Sequence, residues 1–154
     1  MPRLAASGGA PEIRLVPIDD EAKLGNCENL KRKSKKYVGN AMWIIGLAYI
    51  FRKNMNAYGV YDGNRLVGLL LLNESTCYKI GEMMIGDKFQ RRGYGAAAVR
   101  AVIEHCRAQG DFPEISLAVH KSNQIAIHMY ERCGFITAEN APWDENFLVM
   151  KYRL

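Results

Sequence analysis

The sequence predicts a single α/β domain with a mixed sheet. Its length of 154 residues, with 49% apolar and 24% charged residues, is typical of one globular domain. Segments with alternating apolar residues are interleaved with segments of helical periodicity. Glycine, proline and aspartate punctuate the boundaries between them. Together these observations give the element order βααβββαβαββ.

The N-terminal part of the chain predicts one strand and two helices. Alternating apolar residues over Glu12–Asp19 indicate a strand. Asp19 or Asp20 can cap a helix that continues to about Lys33. A second helix is expected over Tyr37–Asn54, where apolar residues recur at helical spacing. Its almost uniform apolarity predicts burial on most sides.

Turn residues separate the remaining elements. The Asp62-Gly63-Asn64 turn between two apolar runs predicts a hairpin, and a further strand ends at Gly86. An amphipathic helix over residues 92–109 ends at Gly110. The strand Glu114–His120 follows. A helix over Asn123–Arg132 is then expected, with Ser122 as its cap and Gly134 as its end. The last two predicted strands are FITAEN and FLVMKYRL, on either side of the turn at residues 142–144.

Composition limits the location and the class of site. The longest apolar run, Ala41–Phe51, is shorter than a membrane span, which needs about 20 residues. Residues 1–11 lack the apolar core of a signal peptide, so we expect a flexible leader, a single domain over residues 12–154 and a cytoplasmic location. The four cysteines are widely spaced and no second ligand follows His105 at metal-site spacing, which predicts buried free thiols and no metal.

A basic run, Lys31–Lys36 (KRKSKK), supplies much of the net charge of +5. Such a run can attract nucleic acid, acidic lipid or a polyanionic ligand. It is more often a solvated connector between helices, which is the interpretation favoured here. No interleaving of arginine and aromatic residues of the RNA-binding type surrounds it, so no nucleic-acid partner is predicted. Since no apolar run is long enough to span a membrane, no membrane partner is predicted either.

The stretch DKFQRRGYGAAA, from Asp87 to Ala98, places a glycine turn between a strand and a helix. A Walker phosphate loop is excluded because the required Lys and Ser or Thr do not follow. The turn matches the dinucleotide pattern G-x-G-x-x-A, but residues 87–92 separate it from its strand, and Glu114 begins the next strand instead of ending it. Glycines that let the backbone approach a pyrophosphate, a helix N-terminus and Arg91 or Arg92 would suit coenzyme A.

With the downstream segment VHKSNQIAIHMYERCGFI, this turn resembles the GNAT superfamily of N-acetyltransferases. QRRGYGA matches the Q/R-x-x-G-x-G/A turn, and the downstream segment matches N-x-x-A-x-x-x-Y-x-x-x-GF. The resemblance covers roughly residues 58–154 with specific motifs. It implies a mainly antiparallel sheet flanked by about four helices, with splayed strands that form an acetyl-CoA cleft.

Within that superfamily the chain looks most like the bacterial spermine/spermidine and diamine acetyltransferase branch. Three departures leave the acceptor open. Arg91 and Arg92 stand where glycine and lysine are common, Glu82 stands where arginine is frequent, and the second helix is unusually apolar. The family resemblance also implies that the chain could form a homodimer.

The resemblance assigns roles to residues on both sides of the cleft. Tyr130 would protonate the departing thiolate. The base is inferred from chemistry and not from the family pattern: Glu82, on the central strand beside the cleft, is the best candidate to accept the proton of the acceptor amine, with His120 and His128, expected on the exposed face of its helix, as weaker options. Backbone groups of Met84 and Ile85 would hold the pantetheine arm. The other predicted coenzyme contacts are Gln90, Arg91, Arg92, Gly93, Tyr94, Gly95, Ala96, Asn123 and Ala126.

The function predicted from these matches is direct transfer of the acetyl group of acetyl-CoA to a primary amine of a small molecule, for which a polyamine is one candidate. Glu82, Glu139, Asp144 and Glu145 would give a polycation a local acidic rim in a chain that is otherwise basic. No covalent acyl-enzyme is expected, because Cys133, the cysteine closest in sequence to the site, lies past Tyr130 at a helix end. Two alternatives stay open: acetylation of a protein or peptide by the same fold, and a non-catalytic coenzyme A binding domain.

Overall fold

The computed structural model describes residues 11–32, 36–37 and 39–154. Within these residues the chain forms seven strands and four α-helices in the order predicted, with short 3-10 turns at Cys27–Asn29 and Asp87–Phe89. The strands are β1 (Ile13–Pro17), β2 (Met55–Asp62), β3 (Arg65–Asn73), β4 (Tyr78–Ile85), β5 (Glu114–His120), β6 (Ile136–Asn140) and β7 (Phe147–Arg153). The helices are α1 (Glu21–Asn26), α2 (Ala41–Ile50), α3 (Tyr94–Gln109) and α4 (Gln124–Arg132).

All seven described strands lie in one sheet, in the order β1-β2-β3-β4-β5-β7-β6. Every neighbouring pair is antiparallel except β4 and β5, which are parallel because α3 connects them as a crossover. The β2–β3 hairpin turns at Gly63, whose φ of +60° suits glycine. The predicted mixed, mainly antiparallel sheet flanked by helices is confirmed.

Two apolar clusters hold helices on the two faces of the sheet. The larger cluster packs α3 and α4 against the face that includes Leu70, Ile80 and Leu117. The smaller cluster packs α2 against the opposite face through Ile44, Leu71 and Met84. Since α2 contacts β2 and β3, the half of this second face formed by β5, β7 and β6 has no helix of the described chain over it.

Both N-terminal helices are shorter than the sequence predicts. The Asp20 side chain caps α1 by accepting a hydrogen bond from the Lys23 amide at 2.8 Å, but the helix ends at Asn26 and not near Lys33. Gly25 and Asn26 are weak helix formers, and the chain turns after them to bury Cys27. The second helix begins only after Asn40, whose side chain accepts from the Trp43 amide at 2.9 Å.

The prediction that α2 is buried on most sides is wrong. Only Ala41 and Ile44 of this helix are buried, whereas four large apolar side chains are more than half exposed: Met42, Trp43, Tyr49 and Ile50. One helix resting on a sheet buries one stripe, and no described element covers the other side of α2. Apolarity all round therefore did not mean burial all round.

One predicted cap is also corrected. Asn123, not Ser122, caps α4, because its side-chain oxygen accepts a hydrogen bond from the Ala126 amide at 3.3 Å. Residues 1–10 of the predicted leader and Lys33, Ser34 and Lys35 of the basic run lie outside the described residues. None of the helices in the described part of the chain is long and apolar enough to span a membrane.

Candidate active site

The central feature of the sheet is a split between its two parallel strands. β4 and β5 pair only from Tyr78 with Ile115 to Ile80 with Leu117. Beyond that point β4 continues to Ile85 and β5 to His120 without pairing to each other. The splayed strands that the sequence predicted therefore open a cleft with unpaired backbone on both walls.

A β-bulge at Gly81 sets the direction of the β4 side chains at this cleft. Ile80 faces Leu72 and Glu82 faces Leu71, so Gly81 is the extra residue of the strand. Cross-strand partners share a face, and Leu71 belongs to the cluster beneath α2. Glu82 therefore lies on the α2 face of the sheet, whereas Tyr130 packs in the cluster on the α3 and α4 face.

The glycine turn has the backbone geometry of an anion site. Gly93 is the N-cap of α3 with φ of +80°, and no side chain caps this helix end. The amides of the first turn of an α-helix have no partner within the helix, so they face outward with the positive end of the helix dipole. Arg91 also has a positive φ, of +61°, an uncommon conformation for a residue with a side chain.

Space above this turn is open to a ligand. A Cβ placed on Gly95 would meet only the Met129 methyl at 3.9 Å, and one on Gly93 only Pro11 at 3.7 Å. Packing within the described chain therefore does not require glycine at residue 95. A glycine at this position leaves the backbone amides of the first turn of α3 accessible from outside the chain.

Two side chains of the motif support the turn from within. The Tyr94 hydroxyl donates to Asp62 and accepts from Arg65, which ties the start of α3 to the β2–β3 turn and leaves only the Tyr94 backbone for a ligand. The Gln90 amide donates to the Ile85 carbonyl at 3.1 Å. Gln90 thereby joins the turn to the end of β4.

The edge of β4 favours Ile85 over Met84 as a partner for an extended ligand. The Gly86 amide donates to Val67 of β3 at 2.9 Å. Because backbone groups alternate along a strand, those of Met84 also point to β3, and those of Ile85 point into the cleft. Sequence spacing alone did not distinguish the two residues.

Tyr130 of α4 packs in the apolar cluster on the α3 and α4 face of the sheet. Burial, with smaller contributions from Cys133 and Glu82, raises the pKa of Tyr130 to about 12, so its hydroxyl keeps its proton at neutral pH. Within the described chain this hydroxyl has no hydrogen-bond partner, and no fully buried side-chain oxygen or nitrogen there lacks one. The Tyr130 hydroxyl is therefore not completely enclosed by the described chain, although the residue as a whole is buried. Ala126, one turn before it, packs against the same cluster.

The opposite face of the cleft carries Glu82 and His120. Burial raises the pKa of the Glu82 carboxyl above its ordinary value. His120 follows Ser116 and Ala118 on the face away from the α3 and α4 cluster. His128 is exposed on α4, as the sequence predicted.

Sequence reasoning missed a hydrogen-bonded chain at this face. The Ser122 hydroxyl lies 2.8 Å from both the Tyr37 hydroxyl and His120 Nδ1. The pairing of residues 85 positions apart, Tyr37 with Ser122, connects the segment before α2 to the end of β5. No local pattern signals such a contact, because it depends on how the two segments meet in three dimensions.

A cysteine nucleophile is not supported. Burial raises the pKa of the Cys133 thiol, which keeps it protonated, and its sulfur lies near the Ala96 carbonyl at 3.9 Å. All four cysteines are free, but only Cys27 and Cys106 are buried, whereas Cys77 and Cys133 are partly exposed. Within residues 11–32, 36–37 and 39–154, no three His, Cys, Asp or Glu side chains converge as metal ligands.

Comparisons with solved structures identify chains of the same fold. Spermidine N-acetyltransferase from Vibrio cholerae, in complex with CoA and spermine, is 18% identical, with a TM-score of 0.71, over 92% of this chain and 95% of that one. The ribosomal-protein alanine N-acetyltransferase from Escherichia coli is 15% identical, with a TM-score of 0.69, over 92% and 93%. A GNAT family acetyltransferase from Elizabethkingia anophelis with acetyl-CoA bound is 16% identical, with a TM-score of 0.64, over 93% and 99%.

The sequence comparisons give a family but no individual relative. No curated protein sequence matches the chain. The model of the acetyltransferase (GNAT) family matches residues 27–135, which include the bulged strand, the glycine turn and Tyr130. The chain therefore belongs to the GNAT acetyltransferase family.

Proposed function

We propose that this protein moves the acetyl group of acetyl-CoA to a primary amine of a small molecule, by direct attack. One observation carries the proposal: at the split between β4 and β5, the uncapped N-terminus of α3 lies on one face of the sheet and a half-buried carboxylate, Glu82, lies on the other. A coenzyme and an amine can therefore approach the same opening from opposite faces of the sheet.

On the coenzyme side, amides of residues 91–96 would hold the pyrophosphate, and Arg91 and Arg92 would add positive charge. The backbone amide of Ile85, whose carbonyl already accepts from Gln90, would hold the pantetheine arm as a partner strand would. Asn123 uses its side-chain oxygen as a helix cap, which leaves its amide nitrogen for the same arm. Bound acetyl-CoA supplies the activated acetyl group as a thioester.

On the acceptor side, Glu82 would take the proton that an ammonium must lose before its nitrogen becomes a nucleophile. Its burial favours the protonated form, which makes the carboxylate a stronger base. Tyr130, protonated at neutral pH, would donate to the sulfur that leaves. The protein would otherwise act by holding amine and thioester together.

A polyamine is the first acceptor class to test. Glu82 lies on the same sheet face as a cavity of about 210 Å³ whose walls include Glu114 and Glu139. Lys79 and Lys151 share those walls, and Lys151 pairs with Glu114 at 3.3 Å, so the cavity is mixed in charge. The V. cholerae enzyme of the same fold is a spermidine acetyltransferase, which supports the test without deciding it.

Acetylation of a protein N-terminus is the second candidate. The observation in its favour is the likeness of fold to the E. coli ribosomal-protein alanine acetyltransferase. An extended peptide would bind the half of the sheet face at β5, β7 and β6, which includes His120 and which no described helix covers.

The discriminating experiment measures thiol release from acetyl-CoA with spermidine, diamines, aminoglycosides and peptides with free N-termini. Turnover of spermidine or diamines that is lost in Glu82→Gln and Tyr130→Phe supports the proposal. Turnover of peptides alone selects the second candidate. Coenzyme binding by wild type and both variants, with no acceptor ever modified, would show that the chain is a coenzyme-binding domain and not an enzyme.

A further inference from the structure

An unpartnered apolar stripe runs along the outer side of α2. Met42, Trp43, Gly46, Tyr49 and Ile50 follow helical spacing and share one face of the helix. The four large side chains of this stripe are 60%, 58%, 70% and 66% exposed. The opposite side of the helix, centred on Ile44, packs on the sheet. We call these five residues the α2 stripe.

Positive charge flanks the α2 stripe on both sides in the sequence. Between Glu28 and Asp62 the chain has seven lysine or arginine residues and no aspartate or glutamate. The rest of the chain has fewer basic than acidic residues, 14 against 16, so this segment alone makes the protein basic. Among the described flanking residues, Lys31, Lys36, Arg52 and Lys53 are exposed.

We propose that the α2 stripe docks on the surface of an anionic lipid bilayer. A helix without charges, with tryptophan and tyrosine among its exposed side chains, matches the boundary between headgroups and acyl chains. Basic residues at both ends add electrostatic attraction to acidic headgroups. The helix of ten residues is too short to span, so it would lie in the plane of the surface.

The same observations weigh against two other occupants. In a twofold dimer through the α2 stripe, the exposed basic residues at the two ends of the helix, Lys31, Lys36, Arg52 and Lys53 among the described residues, would lie near those of the other copy, and the like charges would repel. Nucleic acid would satisfy the charge, but it offers no apolar surface for Ile50 and Met42. A bilayer supplies both negative charge and an apolar layer.

This proposal departs from the prediction that the protein has no membrane partner. That prediction rested on the absence of a spanning segment, which does not bear on binding at the surface. It also accompanied the expectation that α2 is buried on most sides, which the structure contradicts. The proposal is independent of the proposed enzyme function, because docking is measured without coenzyme or amine.

The test uses the full chain with vesicles of phosphatidylcholine containing about one third phosphatidylglycerol, and with pure phosphatidylcholine vesicles. We expect cosedimentation with the anionic vesicles that weakens at high salt. The variant Ile50→Ser should lower the partition coefficient about tenfold. Ile136→Ser, on β6, is the matched control, since Ile136 is 69% exposed and lies outside the α2 stripe. It should bind as wild type.

Charge and insertion are tested separately. Lys53→Glu should weaken binding to anionic vesicles, whereas Arg153→Glu, an exposed residue at the end of β7, should change it much less. In Trp143→Phe the remaining tryptophan is Trp43, whose fluorescence should shift to the blue on binding. All these residues are exposed, so each variant is expected to fold, which circular dichroism checks.

Three results would overturn the proposal. The first is no cosedimentation with anionic vesicles. The second is equal binding by Ile50→Ser and Ile136→Ser, which would mean charge alone. The third is self-association in the absence of lipid that Ile50→Ser abolishes, which would assign the α2 stripe to a second copy of the chain.

Discussion

Substitution of Gly93 by alanine tests the coenzyme turn most directly. Gly93 has φ of +80°, and a Cβ there would lie 3.7 Å from Pro11, an ordinary contact. The cost to the fold is therefore torsional, about 1–2 kcal/mol for an L-residue in the left-handed region. For a protein of this size that corresponds to a fall in Tm of about 2–8 °C.

The effect on coenzyme binding should be separate from the effect on stability. Either the alanine relaxes the turn, and an amide moves away from the pyrophosphate, or its methyl group enters the space that a pyrophosphate would occupy. Loss of one hydrogen bond to a charged group costs about 1.5–3 kcal/mol. We therefore expect the Kd for coenzyme A to rise at least about tenfold.

The control is Gly110→Ala at the other end of the same helix. Gly110 has φ of +71°, and a Cβ there meets only the Arg107 carbonyl at 4.0 Å, so the torsional cost is similar. Thermal unfolding should show comparable losses for the two variants. Isothermal titration with coenzyme A should show a weaker Kd for Gly93→Ala alone. Unchanged affinity in Gly93→Ala, or an equal loss in both variants, would refute the assignment of this turn to the pyrophosphate.

Three further predictions concern titratable groups. Because burial raises the pKa of Glu82, kcat should fall as the pH falls through that raised value. In the thiol-release assay, Glu82→Gln should lower kcat about a hundredfold and remove this decrease of kcat at low pH. A decrease that persists in the variant would contradict the role of Glu82 as the base. Tyr130→Phe should lower kcat. It should change the free energy of unfolding in urea by less than about 0.5 kcal/mol, because the Tyr130 hydroxyl has no hydrogen-bond partner in the described chain. A large loss of stability would indicate that Tyr130 has a structural role. Burial alone would raise the pKa of Glu74, but hydrogen bonds from Tyr58, Asn56 and His105 outweigh burial and lower this pKa overall. Ionised Glu74 therefore stabilises the fold fully at pH values above its ordinary pKa of 4.5, and this stabilisation is lost as the pH falls through the lower pKa of the folded state. Glu74→Gln should flatten urea stability against pH in that window, and an unchanged slope there would exclude this contribution.

The sequence determined the features that depend on local chemistry. The Asp62-Gly63 turn, the stop of α3 at Gly110 and the amphipathic pattern of α3 follow from which residues adopt left-handed conformations and which avoid water. The match of residues 27–135 to the GNAT family rests on the same kind of local signal, because the glycine turn and the Asn123 to Tyr130 segment are short and contiguous.

Only the tertiary structure decided which surfaces meet. The face of Glu82 depends on the bulge at Gly81, since one extra residue reverses the side of every side chain that follows. The contact of Tyr37 with Ser122, and the exposure of Trp43, depend on how α2 and the segment before it rest on the sheet. The residue pattern of the sequence indicates that a helix is apolar. Whether a neighbour covers each side of it is set by packing between elements distant in sequence, which no local pattern contains.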